Sequence, residues 1–413
     1  MSQHSVWQQI LDYSSRADPY PLYAELRRTP VVRAADGSYV VSTYQEIVDL
    51  LHDPRLSSDL RNLPEPGTAA QARAPGEDPP GLPPTFILTD PPEHDRTRRQ
   101  LTWNFGPPHS PSRIDGMMPD MFDIVTSEID DLADNTQPGT TQVDIVDDFA
   151  YPFPVTVICR LLGVPLQDEP KFSWASALLA QALDPFASIA GGPSDGFEDR
   201  IQAARWLRGY FHDLIERRRS QPGDDLLSGL IAVEESGDQL TEEEIVSTCN
   251  LLLIAGHETT VNLIANAILA MLRRPEQWAA LSADAGRASA VIEETLRYDP
   301  PVQVAGRNAA EDMVIGDTTV VKGDTTMLLL AAAHRDPAEV DRPDTFDPDR
   351  GTLRHLGFGR GAHYCLGAPL ARLEAGVALS AVTARFPDAR LDSEPQYKTN
   401  VTLRGLSALS VAV

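Results

Sequence analysis

The chain has 413 residues, with 60 Asp and Glu against 35 Lys and Arg and a formal charge of −25 at neutral pH. That balance excludes nucleic-acid binding through phosphate neutralisation and adhesion to an anionic membrane, both of which rely on clustered Lys and Arg. With 42% apolar and 23% charged residues it reads as a soluble globular chain with room for a large core. The three cysteines, Cys159, Cys249 and Cys365, are widely spaced and odd in number, so they form no disulfide framework and suit a reducing compartment. The N-terminus lacks the basic start and apolar run of a secretion signal. The most apolar stretch, Leu251 to Leu272, is broken by His257, Glu258, Asn262 and Asn266, so no membrane span is expected.

In chain order, a helix after Asp18 leads to short strands at 31–34 and 39–42 around Ala35-Asp36-Gly37, then to a helix with Ile47, Leu50 and Leu51 on one face. Residues 63–84 hold seven prolines and no periodic apolar pattern, which reads as either a functional loop or an interdomain linker. Between Ile114 and Asp148 there are ten Asp and Glu and no Lys or Arg, while Met118, Phe122, Val125, Ile129 and Leu132 keep helical spacing. A helix with one solvated acidic face is expected there. Thr241 with Glu244 forms a capping box that opens a helix running to about Arg274, where Pro275 stops it. At 1.5 Å per residue such a helix is about 45 Å long, and one apolar nearly all round belongs in the centre of a large fold. A helix over 287–298, β-rich stretches at 302–316 and 318–330, a Pro/Asp-rich segment over 336–350, a Gly-rich loop and a final helix from Leu366 to about Arg385 complete the chain. Helix dominates, and no composition break marks a domain boundary.

The Gly-rich loop, Phe358-Gly359-Arg360-Gly361-Ala362-His363-Tyr364-Cys365-Leu366-Gly367, is the most informative segment. Taken alone, Cys365 reads as an inert buried thiol. A zinc site with His363 lacks a second ligand pair, and a phosphate loop lacks its Lys-Ser/Thr ending. The reading that uses every residue is a haem site. The glycines let backbone approach a flat macrocycle, and Cys365 stands where a helix N-terminus stabilises a thiolate able to hold iron. Inside the long helix, Ala255-Gly256-His257-Glu258-Thr259-Thr260 places an acid beside a hydroxyl in apolar surroundings. This is either a buried structural network or a proton relay, and a hydroxyl at 259 can compete for helical backbone bonds and open a kink. Glu294 and Arg297 share a helical face, the usual sign of a surface ion pair. His94 and Arg98 fall at i, i+4 on a helix opened by Pro91-Pro92, while Arg307 and His355 carry no signal of their own.

Together these segments resemble a bacterial soluble cytochrome P450, over nearly the whole chain from Asp18-Pro19-Tyr20-Pro21 to near Thr402. The Cys loop fits the family pattern Phe-Gly-x-Gly-x-His-x-Cys-x-Gly at every fixed position. The resemblance implies a mainly α fold, a single triangular α-dominated domain over 1–413 with a smaller β-rich corner. Residues 63–84 then form a loop over the distal pocket, and 178–196 the lid connection between two helices. It implies haem b with Cys365 as its thiolate ligand, and His94, Arg98, Arg307 and His355 on the propionates. Glu258 and Thr259 become the acid-alcohol pair that directs protons to bound dioxygen, and Glu294, Arg297 and Arg350 a buried structural set. The implied substrate contacts are Phe86, Leu183, Ala255, Gly256, Thr259, Val302, Val304 and Leu403, mostly apolar, for a hydrophobic or aromatic small molecule.

The implied activity is insertion of one oxygen atom from dioxygen, by hydroxylation or epoxidation. Electrons come ultimately from NAD(P)H through a ferredoxin and its reductase. An oxidative-coupling or peroxide-driven enzyme is an alternative, although peroxide-using relatives replace the acid-threonine pair with Arg and Pro. A haem-binding sensor or ligand carrier is another. Glu at 258 where Asp is more frequent, and His334 where Asn is common, are departures from the family pattern. A cytoplasmic monomer is implied as well. Residues 94–113 carry +3 and residues 350–385 carry +4 against the acidic remainder. Arg96, Arg99, Arg360 and Arg372 are therefore candidates for docking an acidic ferredoxin.

Overall fold

The computed structural model describes residues 5–62, 85–105, 111–134, 142–180, 197–236, 240–351 and 353–413. The loop 63–84, Leu183 and nearly all of 178–196 lie outside the described residues.

Thr241 caps the central helix Glu242–Leu272, taking the Glu244 amide on its hydroxyl at 3.3 Å, while its own amide donates to the Glu244 carboxylate at 2.8 Å. Along the 31 residues that follow, buried side chains occur on every face, because the helices Pro152–Leu162, Glu169–Ala180, Phe197–Ser220, Ala288–Tyr298 and Ala368–Arg385 pack around it. It is long and apolar enough to cross a bilayer, yet most of its surface is covered by these neighbours, as befits a core helix. Its interior Asn266 is fully buried and donates to the Asp299 and Arg404 carbonyls at 3.1 and 3.4 Å. Ala255, midway along, is by contrast exposed, because it faces a cavity.

The expected helix, hairpin and helix of the N-terminal region appear as Tyr20–Leu26, Val31–Arg33 with Tyr39–Val41, and Tyr44–His52. The hairpin joins a five-stranded sheet. Tyr39–Val41 runs parallel to Thr325–Leu328, which pairs antiparallel with Ala305–Ala309, and Leu56–Ser57 lies at the edge. This is the β-rich corner. A second small sheet ties Gln142–Asp144 and Arg390–Leu391 to the C-terminal strand Ser410–Ala412.

The acidic helix spans Met118–Asp134. Its core face is Met121, Val125, Ile129 and Leu132, whereas Phe122, expected on that face, is half exposed. Here Met121, one position back, occupies the core instead.

Glu294 and Arg297 form no surface pair. Both are essentially without solvent contact, and two guanidinium–carboxylate bonds of 2.8 and 2.7 Å join them. Arg350 adds a bond of 3.2 Å to the same carboxylate, and the Asp347 amide another of 2.8 Å. Arg297 also donates to the His334, Pro343 and Thr345 carbonyls, so the set pins the segment that leads into the Cys loop. His334 belongs to the same scaffold: its Nε2 accepts the Leu356 amide at 2.7 Å, and burial holds the ring well below the usual imidazole range, hence neutral. Removing one member strands buried charge. Glu294→Ala is expected to destabilise the protein by about 3–5 kcal/mol, read as a lowered denaturant midpoint, whereas a surface pair would cost under about 1 kcal/mol.

Candidate active site

The central helix, the Cys loop, the helix Glu93–Phe105 and the start of strand Ala305–Ala309 enclose a cavity of about 430 Å³. Of the three cysteines, Cys365 alone is on its wall, and Cys159 and Cys249 are buried free thiols elsewhere. The loop closes on itself through the Cys365 amide, which donates to the Phe358 carbonyl at 2.9 Å. Gly361, at φ 68°, lies so close to the Leu51 carbonyl that a Cβ there would collide with it. Burial raises the Cys365 thiol pKa, opposed by the Gly367 and Ala368 amides at the start of the final helix and by Arg98 and Arg372. Those groups favour the thiolate once a cation is present to share it.

Above the thiol the wall is formed by Ala255, Gly256 and Thr259 of the central helix, with Phe86, Val302 and Ile158 around them. Thr259 donates its hydroxyl proton to the Ala255 carbonyl at 2.6 Å, and Thr260 does the same to Gly256 at 2.8 Å. The helix runs unbroken through both. Glu258 is not on the cavity wall. Its carboxylate turns to Lys398, 2.7 Å away, a residue on which the motif reading places no role.

Around the rim stand two arginines with no carboxylate bonded to them among the described residues and two histidines. Arg98 and Arg307 line the cavity, and burial lowers the pKa of each. Arg98 donates to the Tyr364 carbonyl, and Arg307 to the Gly306 carbonyl at 2.7 Å. His94 is buried, with Nδ1 2.8 Å from Asp95 and no partner for Nε2 among the described residues. Its ring centroid lies 4.5 Å from that of His363, whose Nδ1 is likewise buried and unpartnered. Burial and the neighbouring Arg307 and His94 hold His363 down to about 4. Two arginines and two imidazoles converging here, with Asp95 on His94 as the one carboxylate bonded to them among the described residues, fit the propionate edge of a haem, and Cys365 fits its iron.

Three expectations are corrected here. His355 does not join that rim: its Nε2 lies 3.1 Å from Glu293 and its Nδ1 accepts the Gly357 amide at 3.1 Å, so neither nitrogen is free for an anion. His363, two residues before the cysteine, stands at the rim instead. Val304 is absent from the cavity wall and packs with Trp7, Tyr20 and Tyr23, because 302–304 is irregular and regular strand begins only at Ala305. Leu403 bridges Val302 from behind without lining the cavity.

The wall also includes Glu374, a buried carboxyl whose Oε2 finds no partner among the described residues and whose pKa burial raises well above the carboxylate range. Nothing in its helix sequence announces its burial. Of the docking candidates, Arg96 pairs with Glu244, Arg372 donates to Glu293 at 2.5 Å, Arg360 reaches the Tyr44 hydroxyl at 3.3 Å, and Arg99 is exposed.

Residues 80–403 match the family model for cytochrome P450. Among solved structures, ligand-free CYP164A2 of Mycobacterium smegmatis superposes with a TM-score of 0.88 at 55% identity, over 99% of both chains. Among curated proteins, the vitamin D(3) 25-hydroxylase of Pseudonocardia autotrophica is 39% identical over 96% of this chain and 94% of its own. The 6-deoxyerythronolide B hydroxylase of Saccharopolyspora erythraea is 36% identical over 96% of each. The chain belongs to the cytochrome P450 family and has its fold, and it is a haem-thiolate monooxygenase.

Glu293 supplies a measurable signature of the scaffold beneath the Cys loop. Burial alone would push its carboxyl up, but bonds from His355 and Arg372 outweigh this and take it down to about 2 from an ordinary 4.5. A depressed acid stabilises the fold above its unfolded pKa and loses that contribution as pH falls through its folded pKa. Glu293→Gln is therefore expected to lower Tm by about 2–4 °C at pH 7, and the gap from wild type should close between pH 4.5 and about 2. A gap independent of pH would contradict the assignment.

Proposed function

We propose that the enzyme hydroxylates or epoxidises a hydrophobic small molecule held in this cavity, with Cys365 as the haem ligand and Glu258 and Thr259 as the proton-delivering pair. The observation that carries the reading is the placement of Thr259 and the Cys365 thiol on the walls of one largely apolar cavity. Haem, when bound, supplies the redox chemistry of dioxygen activation. The chain's own residues do the rest. Cys365 binds the iron, and the Gly367 and Ala368 amides hold negative charge on its sulfur. His94, Arg98, Arg307 and His363 take the propionates. Ala255 and Gly256 leave room for substrate against the helix: a Cβ at Gly256 would meet Ile158 at 3.4 Å and narrow the space.

Thr259 presents a hydroxyl whose proton rests on the Ala255 carbonyl, leaving its oxygen lone pairs free to accept from a water or a reacting group. Glu258, the preceding residue on the helix, can replenish that proton after taking one up from solvent on the side facing Lys398, and returns to its carboxylate form when it passes the proton on. Apolar side chains such as Leu251, Leu252, Ile87 and Leu88 complete the wall, which supports a hydrophobic substrate positioned by few polar groups. That the two hydroxylases above are named for vitamin D(3) and 6-deoxyerythronolide B supports hydroxylation as the reaction.

Electrons would arrive from an acidic ferredoxin. With Arg96 and Arg372 neutralised by their glutamates, Arg99 and Arg360 are left to attract it. Buried free thiols at Cys159 and Cys249 support a cytoplasmic location.

Two experiments test this. Reduced, CO-treated holoprotein should give the red-shifted Soret band of a thiolate-ligated haem, and Cys365→Ala should abolish it; a band that survives the substitution refutes the ligand. Thr259→Ala should retain that band while converting most electron consumption from product to peroxide, measured as product formed per NAD(P)H. Unchanged coupling would remove Thr259 from the relay.

A further inference from the structure

The Glu258 carboxylate lies in an unexpected place for an acid that serves the cavity. Its side chain is mostly buried, and its Oε1 is 2.7 Å from Lys398 Nζ, which also lies 3.3 Å from Asn262 Oδ1 one turn further along the helix. Lys398 is one of only three lysines in the chain. It follows the strand Gln396–Tyr397, which pairs antiparallel with Leu406–Ala408, and its amide donates to the Gly405 carbonyl at 3.0 Å. Gly405 itself abuts the helix so closely that a Cβ would overlap the Asn262 side chain. The hairpin thus meets the central helix through both arms, at Glu258 and at Asn262.

Its turn reaches the other way. The Thr402 carbonyl accepts the Gln303 amide at 2.9 Å, the Arg404 amide donates to the Pro301 carbonyl at 2.7 Å, and Leu403 bridges Val302. Pro301 and Val302 are cavity wall. One short hairpin therefore links the acid to the wall that a substrate would touch. Asp147 and Tyr151 face the pair from the preceding helical segment, so an uncompensated Glu258 would meet a second acid there.

We propose that Lys398 is the positioning residue of the Glu258–Thr259 pair: it draws the Glu258 carboxylate off the cavity wall and fastens the central helix, at the acid, to the hairpin that braces Pro301 and Val302. The proposal rests on the proton-relay reading above. It assigns Lys398 no contact with haem or substrate. Lys398 acts through Glu258, holding its carboxyl group aimed outward, and through the hairpin, keeping the wall in register with the helix.

The test uses the haem-loaded protein and two independent readouts. In Lys398→Met, amide exchange across 398–405 should quicken by about tenfold as the hairpin detaches, and product formed per electron should fall several-fold with peroxide in its place. Lys398→Arg should restore both. Glu258→Ala should release the same amides, and the double variant should exchange no faster than either single one. Unchanged exchange in Lys398→Met, additive losses in the double variant, or no rescue by arginine would each overturn the proposal. Failure of the underlying relay has a different signature: Glu258→Ala and Thr259→Ala both retaining wild-type coupling, whatever the hairpin does.

Discussion

A carboxylate with no solvent contact costs several kcal/mol to bury unless its lone pairs are filled, and at Glu294 they are filled from both sides. Arg297 supplies the short-range bonds, Arg350 and the Asp347 amide the long-range ones. The remaining guanidinium donors go to backbone carbonyls between His334 and Thr345. A segment with little regular structure is thereby fixed in space. From it the chain passes to Leu356, pinned by neutral His334, and so to the Cys loop. The position of Cys365 against the cavity depends on that compensated charge. Hydrophobic packing alone would leave a Pro/Asp-rich stretch of this length free to drift.

The cavity rim applies the same accounting with the opposite outcome. Arg307 and Arg98 are desolvated with backbone carbonyls as their bonded partners, and His94 Nε2 and His363 Nδ1 have no partner among the described residues. Proteins seldom leave two buried polar atoms unsatisfied side by side, because each costs about 1–3 kcal/mol. An anionic group at this rim would fill that deficit. Glu293 is bound to His355 and Arg372 and is not on the cavity wall, so it adds no negative charge there.

What was legible in the sequence was whatever is encoded locally. The capping box at Thr241, the apolar run that follows it, the hairpin at 31–42 and the helix after Cys365 each depend on neighbours within a few positions, and each stands where its spacing places it. The cysteine loop was legible because its glycines, histidine and cysteine act within ten residues. What escaped was set by distant partners. His355 and His363 look equally available along the chain, and only the Glu293 carboxylate, 62 positions away from His355, decides which one turns to the rim. Val304 was misplaced because the resemblance sets it beside Val302 on the wall, whereas 303–304 is irregular and its side chain packs with Trp7, Tyr20 and Tyr23. Lys398, 140 positions from Glu258, carries no local mark beyond the rarity of lysine.

The net charge of −25 gains meaning from how the arginines are used. Arg297, Arg350, Arg335 and Arg404 are buried or nearly so, and each is matched by carboxylates or carbonyls inside the protein. Arg96 and Arg372, which by composition belong to basic stretches, are also matched. The positive charge counted along residues 94–113 and 350–385 is therefore partly buried or paired, and Arg99, Arg354 and Arg385 are what stays exposed. A small exposed remainder such as Arg99 then contrasts sharply with its surroundings. At physiological ionic strength the field of a lone surface charge fades over about 8 Å, so a partner would feel that patch only on close approach. Orientation at the surface, rather than attraction from afar, is what such a distribution can provide.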